Sequence, residues 1–529
     1  MKGRVGVMSS IFMLQRSGLF LKHAATATMK QYFRIEVLIF ISVWFLLMMA
    51  GSTKLFRDPG TFFHVKIGES ILHTGQLIYS DTFSFTLNGK DWVAHQWLGE
   101  CIMALIHRIA GFDSLLLATS TLLASLYAYL AKRFIRLGLH PMLSILIIAF
   151  AFLASASTLH VRPHLFSIIF LCITFSLLCD FEAGRLKLWY LFSLVPVLII
   201  WANVHGGVLG GIGTLAFMVG GWTFAKLIGK ESPIHNLREL FLLWVFLVAC
   251  ILTLFINPYG HALHKTWFSI ITSQVIPDTI QEHSPAHKAA YGWAILFLAI
   301  FYIVAFLGTL PKWPRLSWVI PLIWLALGLS RVRHSHLFAI VTLIAFADFF
   351  PHVRWAKWLA KKGSRIFSFN PPSMKDRFRF MHVLIPCLMI ASAFFLQIGG
   401  VKIPIVGKNW AKLDPNYWPI GILADIENLV KDEPLGTPIF NDMLFGGFLI
   451  YYVPQLRVFI DDRCELYKDR ALLAYMQADC QQFEEWVRKY DIKIALIERA
   501  SIFGKCLDQN KKWTTVNKIH SASLYKQVD

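Results

Sequence analysis

Long apolar runs, separated by short polar breaks, fill the first three quarters of this chain. Crossing a bilayer takes about 20 mostly apolar residues, within a range of about 17–25. Runs of that kind fall at 35–54, 112–131, 142–160, 164–180, 187–203, 206–226, 239–256, 292–309, 316–330, 335–350 and 381–398. They predict about eleven transmembrane helices. The piece 97–110 (WLGECIMALIHRIA) is shorter and carries Glu100, His107 and Arg108. It reads as a helix lying along the interface, not across it. From Gly400 the pattern turns polar and alternating. Strand-like pieces at 438–441, 457–460, 492–498, 513–518 and 523–527 are separated by helical patterns near 418–431, 443–452, 468–489 and 500–508. Strands alternating with helices predict a mostly parallel sheet. The expected fold is mostly α: a basic tail at 1–34, a polytopic membrane helix bundle at 35–399 and a small α/β domain at 400–529. A large first outer loop at 55–111 belongs to the bundle.

Composition agrees with the pattern. Only 16% of the residues are charged, against roughly 25% in soluble domains. The net charge of +19 would suit nucleic acid, but the basic residues gather in the gaps between apolar runs. Cytoplasmic loops have that character, and no nucleic-acid motif is present. With the N-terminus inside, Lys132-Arg133, Arg185, Lys187, Lys226, Lys230, Lys312, Arg315 and the basic stretch 351–380 all fall on the cytoplasmic side. Counting 97–110 as a span would invert every later loop. The segment 1–34 carries Lys2, Arg4, Arg16, Lys22, Lys30 and Arg34 and no acid. It lacks the pattern of a cleaved signal and reads as a cytoplasmic tail. The C-terminal domain then lies outside.

This topology sends the polar breaks to one non-cytoplasmic face. They are Asp58 with the long loop, Arg162-Pro163-His164, Asn203-Val204-His205-Gly206-Gly207, Asn257-Pro258-Tyr259-Gly260 and Arg331-Val332-Arg333-His334. Ionisable groups at membrane depth are expensive and point to function. Asp58, next to an apolar wall, suits a general base, although a helix-end acid before Pro59 is the plainer account. Arg162, Arg331 and Arg333 suit paired hydrogen bonds to phosphate, against snorkelling to lipid headgroups. His64, Glu100, His164, Asn203, His205 and His334 complete the candidate substrate- and phosphate-binding set. The histidines, His95 among them, leave a divalent metal open as an alternative, but no HExxH or tight cluster supports one. No other cofactor is called for, and the absence of GxGxxG or a P-loop assigns no nucleotide site. The second outer loop, 257–291, is long enough to cover a site. Cys464, Cys480 and Cys506 in the polar tail leave one disulfide open.

The stretches DPGTFFHVKIGESIL and SDTFSFTLNGKDWVAHQWLGE resemble the first outer loop of bacterial GT-C-type integral membrane glycosyltransferases. The RPH, NVHGG, NPYG and RVRH breaks, and FNDMLFGGFLIYY with FIDDRCELY in the tail, resemble a branch of their relatives. The resemblance implies an enzyme of the bacterial inner membrane, working at its non-cytoplasmic face. The donor it implies is a polyprenyl-phosphate-linked sugar held among membrane lipid. The acceptor is a hydroxyl or amine of an envelope glycan, lipid or protein. By the same match Asp58 takes the role of catalytic base. The tandem acidic motif of some members is Asp-Pro-Gly here, so metal dependence stays open. Two other readings remain: a transporter or flippase of lipid-linked saccharide, which predicts charges near mid-membrane and inverted repeats, and a non-catalytic membrane scaffold.

Overall fold

In the computed structural model, which describes residues 34–279, 283–370, 381–403 and 406–528, each apolar run folds as a helix. Seven are long and apolar enough to cross a bilayer: Ile35–Lys54, Phe112–Arg136, Pro141–Thr158, His164–Glu182, Val208–Leu227, Leu237–Phe255 and Val332–His352. The other four, Leu188–Val204, Gly292–Leu307, Leu316–Ser330 and His382–Ile398, have 10–17 residues. Local breaks go with that shortness in three of them. The 188–204 run opens as a 3-10 turn over Leu188–Ser193 just before Pro196. Pro321 stands in the first turn of Ile320–Ser330, and Pro386 lies inside Met381–Ile398. The molecule is an integral-membrane helix bundle. The basic residues of the 1–33 tail, with Lys375, Arg377 and Arg379, lie outside the described residues.

The helix Ser335–Phe349 runs through the centre, with every one of its residues buried. A helix covered on every side has no solvent face to keep, and this mostly apolar one fills the core. At one end of the bundle four charges lock three helices together. Arg133 donates to Asp180 at 2.9 and 3.2 Å and to Asp348 at 3.0 Å. Arg185 donates to Asp180 at 2.6 and 2.8 Å and to Asp348 at 2.6 Å.

At the other end, the first loop folds as two helices joined by an extended stretch. Gly60–Thr74 and Trp97–Ala110 pack so closely that a Cβ on Gly68 would lie 2.0 Å from the Glu100 carbonyl oxygen. Only glycine permits that approach. The amphipathic Trp97–Ala110 buries Gly99, Glu100, Cys101, Met103 and Ala104 and exposes Leu105 and Ile109.

The C-terminal part carries five strands: β1 (Thr437–Asn441), β2 (Leu456–Val458), β3 (Ile494–Glu498), β4 (Trp513–Lys518) and β5 (Ala522–Gln527). Their order is β2-β1-β3-β5-β4. β1 pairs in parallel with β2 and β3, while β5 runs antiparallel to both β3 and β4. The sheet is therefore mixed, where the sequence predicts a mostly parallel one. The reason is local: β4 and β5 are joined by residues 519–521, and so short a link makes an antiparallel hairpin. A disulfide joins Cys480 to Cys506, tying helix Cys480–Tyr490 to helix Ile502–Gln509. Cys464 is left as a free buried thiol.

The first loop and the tail are built as one body. Ser84 bridges Val458 in parallel, so the loop adds a rung to the edge of β2. Phe85 N–H donates to the Val458 carbonyl, and Val458 N–H donates to that of Phe83, each at 3.1 Å. Arg463, 1% exposed, bridges Asp81 at 2.8 Å and Asp461 at 2.6 Å. The Trp418 indole donates to the Phe56 carbonyl at 2.8 Å and stacks on Phe448. A Cβ on Gly447 would meet the Pro59 carbonyl oxygen at 2.2 Å, so the tail helix Met443–Tyr452 sits directly on the turn that holds Asp58. The loop that opens at residue 257 is also pinned to the tail: Ser273 and the Gln274 N–H both donate to Asp469. Glu282 and the side chain of Asp278, both expected in that loop, lie outside the described residues.

Candidate functional site

Asp58 stands between the first membrane helix and Gly60–Thr74. One carboxylate oxygen, Oδ1, accepts from the Gly60 N–H at 2.8 Å. The other, Oδ2, accepts from Arg162 Nη1 at 3.0 Å. An acid at the start of a helix is favoured by the orphan N–H groups and the helix dipole. The same contacts hold the group in one orientation. Arg162 is brought there by its neighbours: Val161 N–H donates to the Leu55 carbonyl at 3.0 Å, and Thr61 Oγ1 donates to the Val161 carbonyl at 2.9 Å. A Cβ on Gly60 would fall 2.7 Å from Asp58 Oδ1 and 2.9 Å from Arg162 Nε. The Asp-Pro-Gly sequence therefore leaves room for the Asp58–Arg162 pair.

His64 lies one turn into the same helix. Its Nδ1 is 2.8 Å from Glu100 Oε1, and both residues are 1% exposed. Burial pushes the His64 pKa well down, with the charges of Arg162, His95, His205 and His164 adding to it. Burial pushes the Glu100 pKa well up, Glu465 adding and Arg463 opposing. The two shifts describe a neutral pair in which the protonated Glu100 carboxyl donates to Nδ1. His64 Nε2 and Glu100 Oε2 are buried with no protein partner. The pair therefore keeps one donor and one acceptor open.

His95 lies 3.6 Å from Glu465 of the tail. Its pKa is lowered by burial, with Glu465 opposing and Arg162 and Arg333 adding. His205 Nδ1 accepts from the Gly207 N–H at 2.9 Å and bonds Ser167 Oγ at 2.8 Å, which places its proton on Nε2. His164 Nε2 donates to the Thr158 carbonyl at 2.8 Å, and its ring centre is 6.4 Å from that of His205. Arg333 donates from Nη1 to His283 Nε2, so His283 is neutral. Burial, then Arg333, Arg331, His334 and Arg162, push its pKa down to about 2.

Asp58, His64, Glu100, Arg162, His164, His205 and Arg333 thus occupy one end of the bundle, with Glu100 joined to the group through His64. Arg331 and His334 stand at the edge of this group, beside His283. Asn203 is fully used as a brace: it accepts from the Trp97 indole at 3.0 Å and donates to the Ile199 and Ile256 carbonyls at 2.9 and 2.8 Å. Among the described residues no group of three or more His, Cys, Asp or Glu side chains is spaced to hold a metal ion. A cavity of about 1100 Å³, with Glu182, Lys187, Trp222 and Arg238 in its wall, opens at the other end of the His164–Glu182 helix and does not include the group.

The tail contributes acids to which the sequence assigns no role, Asp461 and Asp462 of FIDDRCELY, Asp442 of FNDMLFGGFLIYY and, beyond both stretches, Glu498. Asp461 and Asp462 follow β2, Asp442 follows β1, and Glu498 ends β3. Acids therefore stand at the carboxyl ends of the three parallel strands, the edge where open α/β sheets bind ligands. Asp461 is saturated by Arg463 and Tyr467. Asp462 is half-buried as a residue, but its Oδ1 is buried with no partner. Its pKa is raised well above the usual carboxylate range by burial, lowered in part by Arg162, and raised again by Asp58 and Asp461. Ile460 and Asp461, just before it, lie against Gly446 of the helix whose Gly447 meets Pro59, so Asp462 follows a stretch held beside the turn that bears Asp58. Paired acids at a strand end are the one signal in the sequence that marks it.

Comparison with known proteins gives remote structural likenesses. No family model matches the chain, and no curated protein matches it. The oligosaccharyltransferase of Archaeoglobus fulgidus in its apo form is 10% identical with a TM-score of 0.49, covering 88% of this chain and 69% of that one. The oligosaccharyltransferase AglB of the same organism, in complex with an inhibitory peptide and a dolichol-phosphate, is 11% identical with a TM-score of 0.48 and the same coverage. The arabinofuranosyltransferase AftD from Mycobacteria is 12% identical with a TM-score of 0.46, covering 93% of this chain and 41% of that one.

Proposed function

We propose that this chain is a GT-C-type membrane glycosyltransferase that moves a sugar from a polyprenyl-phosphate carrier to an envelope acceptor at the non-cytoplasmic face. The observation that carries the reading is the gathering of Asp58, Arg162, Arg333, His64 and Glu100 at one end of the bundle, under a docked tail. Asp58 is the base for the acceptor. Arg162 and Arg333 stabilise the lipid phosphate as its bond to the sugar breaks. The neutral His64–Glu100 pair, with one open donor and one open acceptor, suits sugar hydroxyls. The Cys480–Cys506 disulfide supports the outward placement, since disulfides persist in oxidising compartments. The basic clusters of the opposite loops support it as well.

The reaction asks little covalent work of the protein. The acceptor oxygen bonds to the anomeric carbon, its proton passes to Asp58, and the carbon–oxygen bond to phosphate breaks with its electrons on the phosphate. Loss of the gene is expected to remove one envelope glycoconjugate and to accumulate a polyprenyl-phosphate sugar. The wild-type chain restores the conjugate. Asp58→Asn, inserted at the wild-type level, leaves transfer at least about 100-fold lower, the low end of what a positioned base contributes. Full restoration by Asp58→Asn rejects Asp58 as the base, and an unchanged glycan profile on gene loss rejects the reading.

A further inference from the structure

We propose that Asp462, delivered by the C-terminal α/β part, is a second substrate-binding carboxyl of the Asp58–Arg162 site, and that the two acids together select a hydroxyl acceptor over an amine. The inference rests on the glycosyltransferase reading and adds a residue, a division of labour and an acceptor class to it.

Four observations lead there. Both oxygens of Asp58 already have protein donors, the Gly60 N–H and Arg162, so Asp58 is held in an ion pair. Asp462 Oδ1 is buried and unpartnered in the same electrostatic neighbourhood, with Arg162, Asp58 and Asp461 the charges that act on it. The loop carrying it is rigid, because Asp461 is locked to Arg463 and Arg463 to Asp81 of the first loop. Finally, Gly447 lies against Pro59 and Gly446 against Ile460 and Asp461, so one tail helix touches both the turn bearing Asp58 and the stretch leading to Asp462.

Two neighbouring acids in a buried place do not both ionise. Asp58 is paired with Arg162 and Asp462 Oδ1 has no partner, so Asp462 is the one that keeps its proton. A carboxylate beside a carboxylic acid offers one acceptor and one donor. A hydroxyl matches that pair, because it donates with its hydrogen and accepts on its oxygen. An ammonium has no lone pair to receive the Asp462 proton. During transfer the acceptor proton goes to Asp58, while Asp462 keeps its own and holds the acceptor oxygen in place.

The test uses the full-length protein in proteoliposomes containing the accumulated polyprenyl-phosphate sugar, with octyl glycosides and matched amino-sugar glycosides as acceptors. Asp462→Ala is expected to raise the acceptor KM about tenfold, the worth of one hydrogen bond in this setting, with kcat little changed. Asp58→Asn lowers kcat instead. Asp462→Asn keeps a donor, so its KM stays near wild type. It also loses the rise in KM that wild type shows at high pH, where Asp462 ionises. An acceptor KM that Asp462→Ala leaves alone, an Asp462→Asn profile that still follows wild type with pH, or amine acceptors used as well as hydroxyls would overturn the proposal. If Asp462→Ala does not fold, the pH profile of Asp462→Asn decides. Sugar transfer that needs Asp58 but ignores Asp462 defeats this inference alone, whereas absence of any transfer defeats the reading beneath it.

Discussion

The His164–Glu182 helix has a group of buried charges near each end, and the two groups are built differently. At the Asp180 end, two arginines meet two aspartates. Arg133 and Arg185 each donate to both Asp180 and Asp348, and the group contains no histidine. At the Arg162 end, one ion pair is surrounded by neutral histidines and raised-pKa acids, and His64, Glu100 and Asp462 each keep a buried polar atom without a protein partner. Buried polar groups in native proteins are overwhelmingly satisfied. The Asp180 group is charge-balanced, with Arg133 Nε its one buried atom without a partner, and it ties helices together. A group left open in several places is arranged for something that is not protein.

Substitutions that separate holding from reacting sharpen this contrast. The largest effect is expected from Asp348→Ala, which leaves two arginines facing one aspartate in the charge-balanced group. Breaking a buried pair in this way costs about 3–5 kcal/mol. The loss is read as a large fall in the unfolding temperature in detergent, and an unmoved midpoint would show that this group is not structural. Asp58→Asn, by contrast, is expected to lower sugar transfer while moving the midpoint little.

A middle-sized effect comes from pH. The folded-state pKa of His283 is about 2, well below its unfolded value of about 6.5. Below pH 6.5 the unfolded chain therefore binds a proton that the folded one does not. Stability is full above about pH 7 and falls as pH drops, by up to about 1.4 kcal/mol per pH unit for such a group. His64 and His95, also lowered, act in the same direction. His283→Gln should flatten part of the melting-temperature slope between pH 7 and 5. A slope identical to wild type would contradict the neutral His283 at Arg333. The smallest effect is expected from Arg185→Lys. It keeps the charge and loses the fork at a partly exposed position, for roughly 0.5–1 kcal/mol, measured against the much larger loss in Asp348→Ala.

The membrane helices were legible because their signal is local. A run such as 335–350 must be helical to satisfy its own backbone in an apolar setting, whatever it packs against. The clustering of charged breaks was legible through the alternation of sides. The strands of the tail were also read nearly in place, but the helical pattern at 468–489 folds as two helices, Cys464–Met476 and Cys480–Tyr490, and the hairpin of β4 and β5 made the sheet mixed.

What the chain decides by itself is therefore its spans, the short polar breaks between them, and the placing of Asp58, Arg162 and Arg333 at helix ends, because hydropathy and proline–glycine chemistry act over a few residues. Only the tertiary structure decides that Arg162 pairs with Asp58, that Asn203 is a brace, and that Asp462 reaches the site. Those outcomes depend on contacts such as Gly447 on Pro59 and Arg463 on Asp81, made between segments far apart in sequence. They exist only once the tail has docked on the first loop.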